Sequence, residues 1–159
     1  MYSFRNDYSE GAHPKVLQAL ADTNLRQTVG YGMDPCCQAA ADTIRRLCAA
    51  PDAAVHFLVG GTQVNLVTID AFLQSYEAVV AAQTGHVSTH ETGAIEATGH
   101  KVCTVESPDG KLTPALVESV LAGHNGTEHM VLPRMVYISD TTEIGTVYTR
   151  AELAALRQR

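Results

Sequence analysis

The chain has no apolar stretch long enough to cross a bilayer, and its opening, MYSFRNDYSE, has neither the basic start nor the apolar run of a secretory leader. A cytoplasmic protein with no membrane partner is the expectation. Basic residues are scattered, with only Arg45-Arg46 side by side, and the net charge is −6. A nucleic-acid surface needs clustered Lys and Arg, so no nucleic-acid partner is expected. Four cysteines, Cys36, Cys37, Cys48 and Cys103, offer an adjacent pair but no C-x-x-C spacing. Zinc and dithiol redox chemistry therefore lack their usual signature, and the four read as reduced core thiols. Lysine is scarce, at Lys15, Lys101 and Lys111 only.

What is present is the balance of a soluble globular domain, 45% hydrophobic and 18% charged over 159 residues. That length suffices for one domain with a core. AHPKVLQALADT, with Pro14 in a first turn and Val16, Leu17 and Leu20 at helical spacing, reads as a short helix. Gly30, Gly32 and Asp34-Pro35 interrupt the pattern before a second helix from Cys36 to Ala49. AVHFLVGG is apolar and rich in β-formers, which predicts a strand buried on both faces. A glycine turn follows, then a helix, QVNLVTIDAFLQS, apolar nearly all round and so expected to be enclosed.

EAVVAAQ is the next expected strand, HETGAIEATG a helix ending at Gly99, and KVCTVES a further strand. A turn at Ser107-Pro108-Asp109-Gly110 precedes a helix with Thr113 as N-cap, and MVLPRMVYISD is a strand whose regular part should begin at Arg134. AELAALRQR ends the chain as a helix without a capping glycine, so further polypeptide is expected after Arg159. Strands alternating with helices imply an α/β fold, a three-layer sandwich around a mostly parallel sheet. One unit is expected, with an arm and first helix over 1–30 and an α/β core over 31–159.

Gly60-Gly61-Thr62 falls where a strand's carboxyl end meets a helix N-terminus. Free N–H groups and the helix dipole favour a phosphate there, although the same triplet caps many helices with no ligand; no Lys follows, so it is not a P-loop. His86, His90 and Glu91 follow the next strand, where open α/β sheets place ligands. Three uses stay open: a zinc pair lacking a third ligand, a solvated polar loop, or an imidazole stacked on an aromatic cofactor with Glu91 in proton transfer.

Five segments, FRNDYSEGAHPKVLQAL, YGMDP, GGTQVN, HVSTHETGAIE and TEIGTVYT, come in the order and approximate spacing found in threonine aldolases. Over nearly its whole length the chain resembles the N-terminal part of the threonine aldolase/β-eliminating lyase family, enzymes of fold type I that depend on pyridoxal 5'-phosphate (PLP). The resemblance implies a partial large domain in which Gly60, Gly61 and Thr62 hold the PLP phosphate and Asn65 supports that loop. Gly60 replaces a more usual serine, which should loosen one phosphate hydrogen bond. It further implies that His86 stacks on the pyridine ring and that Glu91 is an acid/base in the substrate pocket. Asn6 stands where many relatives carry a serine that touches the substrate carboxylate, with Arg5 and Asp7 beside it. Tyr31, by the same likeness, approaches the active site of a neighbouring subunit, so a homo-oligomer is expected. Thr142 and Glu143 align near the cofactor without an assigned role.

The implied activity is retro-aldol cleavage of a β-hydroxy-α-amino acid, such as threonine to glycine and acetaldehyde, with His86 or Glu91 as base. The alternatives are β-elimination from an aromatic or sulfur amino acid, or a non-catalytic phosphate-binding module. None of the three lysines matches the family's Schiff-base segment. That lysine and the aspartate that pairs with the pyridinium are expected beyond Arg159, so the chain should need that missing C-terminal part and be inactive alone.

Overall fold

The run EAVVAAQ has no polar face to turn toward water, which suits it only to a strand covered on both sides. In the computed structural model it forms β1 (Glu77–Ala82), the middle of a parallel sheet ordered β2-β1-β3, with β2 at Lys101–Val105 and β3 at Leu132–Val136. Successive strand side chains point to opposite faces. Val79 and Ala81 pack on one side with Ile69, Leu73, Val87 and Ile95; Ala78, Val80 and Ala82 pack on the other with Cys103, Leu112 and Val117. The first side is covered by α3 (Gly61–Phe72), α4 (His86–Thr89) and α5 (Ala94–Ala97). The second is covered by α6 (Pro114–Gly123) and, through Leu156, α7 (Arg150–Arg157). This is the expected three-layer sandwich.

The structure describes residues 2, 3, 5, 6, 8–124 and 126–158, in two compact units, 1–57 and 58–159. The sheet lies in the second. The first contains α1 (Pro14–Thr23) and α2 (Pro35–Leu47), each opening on a proline and a side-chain cap. The His13 ring accepts from the Lys15 amide at 3.2 Å, and the Asp34 carboxylate from the Cys36 and Cys37 amides at 2.8 and 3.0 Å. No helix among the described residues is long and apolar enough to cross a membrane.

Several expectations change. AVHFLVGG is not a strand: it pairs with no other strand among the described residues, and Val59 is 96% exposed. β-forming side chains make a strand only where a neighbour takes the backbone groups. Here the Val59 N–H goes to the Gln63 side chain instead, at 2.9 Å. α3 is not enclosed, for Ile69 is its one buried residue and Phe72 is 75% exposed. The helix expected over HETGAIEATG is reduced to the single turn of α5, because Thr92 and Gly93 take left-handed φ values of 54° and 75°. β3 begins at Leu132 rather than Arg134; Pro133 sits opposite Ala78, and a register shift just after that pair takes up the irregularity. All four cysteines are free, but Cys103 alone is buried, so the core-thiol expectation holds only there.

Thr113 caps α6 as expected, and α7 starts with a capping box between Thr149 and Glu152. Hydrogen bonds from the Thr149 backbone and hydroxyl, then from the Lys111 ammonium, pull the Glu152 carboxyl down to about 2. The uneven burial of α3 sets a test: Ile69→Ala should cost about 2–5 kcal/mol as a core truncation, whereas Phe72→Ala should stay within about 0.5 kcal/mol. Urea unfolding of the two variants measures both.

Candidate active site

Turns at the carboxyl ends of parallel strands bring helix N-termini and polar side chains together. β1 ends at Ala82, and the chain turns sharply into α4 through Gly85, whose N–H bonds the Ala82 carbonyl at 2.8 Å. A side chain at Gly85 would put its Cβ 3.0 Å from that same carbonyl oxygen, so the turn needs glycine. It sets His86 at the start of α4, where its N–H donates to Ser139 Oγ at 3.3 Å. After one turn the left-handed Thr92 and Gly93 reverse the chain. The side chain of Glu91 is left wholly buried.

That carboxylate joins three elements. Glu91 Oε1 accepts from Asn65 Nδ2 at 2.6 Å and from His86 Nδ1 at 2.7 Å. Asn65 and Thr62 are three residues apart on α3 and share a face. Burial pushes the Glu91 carboxyl up, but hydrogen bonding to Asn65 and His86, with the Thr62 side chain close by, outweighs it and holds the group below the usual carboxylate range. Glu91 Oε2 is buried with no hydrogen-bond partner among the described residues. With its Nδ1–H spent on Glu91, His86 presents Nε2 and a partly exposed ring face.

The N-terminus of α3 has no side-chain cap. Its first helical bond runs from the Val64 N–H to the Gly60 carbonyl at 2.9 Å, and the amides of Gly61, Thr62 and Gln63 make no hydrogen bond among the described residues. Gly60, Gly61 and Thr62 are exposed, and a Cβ built on either glycine meets nothing within 4 Å. An open cradle of amide donors thus lies at one end of the face that carries Thr62 and Asn65. Two clefts, of about 420 Å³ beside Cys103 and His124 and about 320 Å³ along β3, α6 and α7, are lined by none of these residues.

Among the sequence candidates, Thr62, Asn65, His86 and Glu91 come together. Asn65 is directed at Glu91 through its amide nitrogen. Asn6 and Tyr31 belong to the first unit: Asn6 Oδ1 accepts from the Tyr8 amide at 3.2 Å and the Ser9 hydroxyl at 2.6 Å, and Tyr31 is fully exposed with a left-handed φ of 62°. Asp7 lies outside the described residues. Two further groups flank the network. The His90 ring centroid is 5.6 Å from that of His86, and His90 Nε2 is 4.0 Å from Glu143 Oε2. The four-residue spacing of the two histidines was a visible signal for the first; the second was marked only by the likeness of TEIGTVYT to the family, without a role.

A model of the β-eliminating lyase family matches residues 4–159. The chain belongs to the β-eliminating lyase family. The chain is 36% identical over 155 residues to a low-specificity L-threonine aldolase of a Pseudomonas species, and 35% identical to one of Pseudomonas aeruginosa. Each match covers 96% of this chain and 44% of the relative, so the chain spans less than half the length of the curated relatives it matches. A solved threonine aldolase of Leishmania major is 56% identical, with a TM-score of 0.95, over 99% of this chain and 46% of that one. The α/β architecture is therefore that of a fold type I PLP enzyme over the matched part.

Because its folded pKa is depressed, Glu91 contributes stability that is complete above the ordinary carboxylate value near 4.5 and is lost as pH falls through the lower folded value. Glu91→Gln should lose about 1–3 kcal/mol at neutral pH. Thermal melting from neutral to acid pH checks this: the gap between wild type and variant should narrow on the acid side.

Proposed function

We propose that this chain supplies the phosphate cradle and the ring-facing imidazole of a PLP-dependent lyase that cleaves β-hydroxy-α-amino acids, threonine or allo-threonine, to glycine and an aldehyde. The observation that carries it is the uncapped N-terminus of α3, tied through Thr62 and Asn65 to the buried carboxylate that orients His86. The Pseudomonas and Leishmania relatives, all named as threonine aldolases, support the substrate class.

The donor set suits the coenzyme. Amides of Gly61, Thr62 and Gln63 and the Thr62 hydroxyl offer neutral donors and the positive end of a helix dipole to a phosphate dianion. Gly60 contributes backbone room but no hydroxyl. His86, held by Glu91, offers its ring face to a pyridine. When bound, PLP supplies the electron sink that takes up charge developing at the substrate α-carbon. Asn6, Asp7 and Tyr31 are assigned to the substrate side, Tyr31 toward a neighbouring subunit.

The covalent anchor is a different matter. Lys101 opens β2 opposite Ala78, whereas the network lies past Ala82 at the other end of the strands, roughly 13 Å away at about 3.3 Å per residue. Lys111 is engaged by Glu152 at 3.0 and 3.2 Å. Lys15 lies in the first turn of α1, in no Schiff-base-like segment. None is offered as the residue that attaches the coenzyme.

PLP added to the chain should therefore bind without a covalent link. Amide NMR should show shifts at Gly61, Thr62 and Gln63, and Thr62→Val should weaken binding about 3- to 10-fold, the worth of one hydrogen bond. Borohydride followed by peptide mass spectrometry should find no pyridoxyl group on Lys15, Lys101 or Lys111. Unmoved amides at 61–63 would remove the basis for the proposal.

A further inference from the structure

We propose that His90, backed by Glu143, is the general base that takes the β-hydroxyl proton of the substrate. This deepens the function proposed above and rests on it. The two groups that the sequence offers for that role are already committed. The Glu91 side chain is wholly buried and its Oε1 accepts two hydrogen bonds, so it acts on the substrate only through His86. His86 has its Nδ1 held by Glu91, and its ring face is the surface available to the coenzyme.

His90 differs on each count. Its side chain is 59% exposed, and its ring nitrogens make no hydrogen bond among the described residues. Its ring stands 5.6 Å from that of His86 at an angle of 59°, so it flanks the ring-stacking position rather than occupying it. Glu143 Oε2, 4.0 Å from His90 Nε2, is too far for a hydrogen bond but near enough to stabilise an imidazolium. The turn that carries Glu143 is also held in place. The Thr142 N–H bonds the Thr146 carbonyl at 2.9 Å, the Gly145 N–H bonds the Thr142 carbonyl at 2.9 Å, and the Thr146 hydroxyl anchors the turn to the Asp109 carbonyl at 2.7 Å. Gly110, at φ 72°, lets the 107–110 turn approach so closely that its Cβ would lie 3.2 Å from Ile144 and 3.3 Å from Thr142. A base backed by a carboxylate on an anchored turn is an arrangement suited to proton abstraction.

The step balances without another reactant. The hydroxyl proton passes to a ring nitrogen of His90, and the O–H electron pair becomes the second C–O bond of the aldehyde. The Cα–Cβ bond breaks with its pair left at Cα, which then takes a proton to give glycine. His90 gives up its own proton to solvent. Glu143 is a positioning residue throughout, charged and in place while His90 carries the extra proton.

The test compares two reactions of the coenzyme-loaded protein expressed from its complete reading frame. One is threonine cleavage, which needs the β-hydroxyl proton removed; the other is exchange of the glycine α-hydrogen in D₂O, which does not. His90→Asn should slow cleavage about 100-fold and leave exchange within about threefold of wild type. Added imidazole should restore part of the cleavage, because the position is open to solvent. Glu143→Gln should slow cleavage about 10-fold, again sparing exchange. Unchanged cleavage in His90→Asn overturns the inference while the proposed function stands. Equal loss of both reactions without imidazole rescue marks a structural role and overturns it too. A wild-type protein that neither cleaves threonine nor exchanges glycine takes down the proposed function and this inference together.

Discussion

One carboxylate oxygen, Glu91 Oε1, receives hydrogen bonds from both the Asn65 amide and the His86 imidazole, and the positions of α3 and of the turn after β1 follow from it. An ionised carboxylate taken out of water costs several kcal/mol unless hydrogen bonds compensate it. The side chain of Glu91 is wholly buried, so the fold is held to the geometry in which both donors reach it. That geometry leaves the helix N-terminus and the His86 ring at fixed places relative to each other. Preorganisation of this kind is what a site for an anionic aromatic coenzyme requires.

The sheet sets where this happens. β1 is covered on both faces, so its polar connections can meet only at the strand ends. At the carboxyl end the loops after β1 and after β3 converge, shown by the His86 N–H on Ser139 and by His90 facing Glu143. The same convergence puts Glu143 beside a histidine from a distant part of the sequence. The strain at Thr92, a β-branched residue at φ 54°, sits next to Glu91 and is part of how the buried carboxylate is aimed.

Much of the architecture was legible wherever local chemistry and global placement agree. EAVVAAQ was legible as a strand from its apolar run, and Thr113 as a capping signal that acts within one helical turn. AVHFLVGG misled because β-propensity describes a residue's fit to a sheet, not the presence of a partner strand. HETGAIEATG misled because two left-handed residues outweigh helical preference, and Thr92 gives no sign of that by its type. Adjacent Cys36 and Cys37 looked like core residues by composition alone, whereas burial depends on what packs over them.

The sequence by itself determined the residue inventory of the site and its family. Motif order, the glycines before α3 and the histidine-glutamate run after β1 are properties of the chain as a string, and residues 4–159 fit the family on those terms. Only the tertiary structure decided what each residue does with its neighbours. It turned Glu91 inward, directed Asn65 at it, left the α3 amides open and brought Glu143 to His90, because hydrogen bonds and burial depend on distances that no linear spacing encodes.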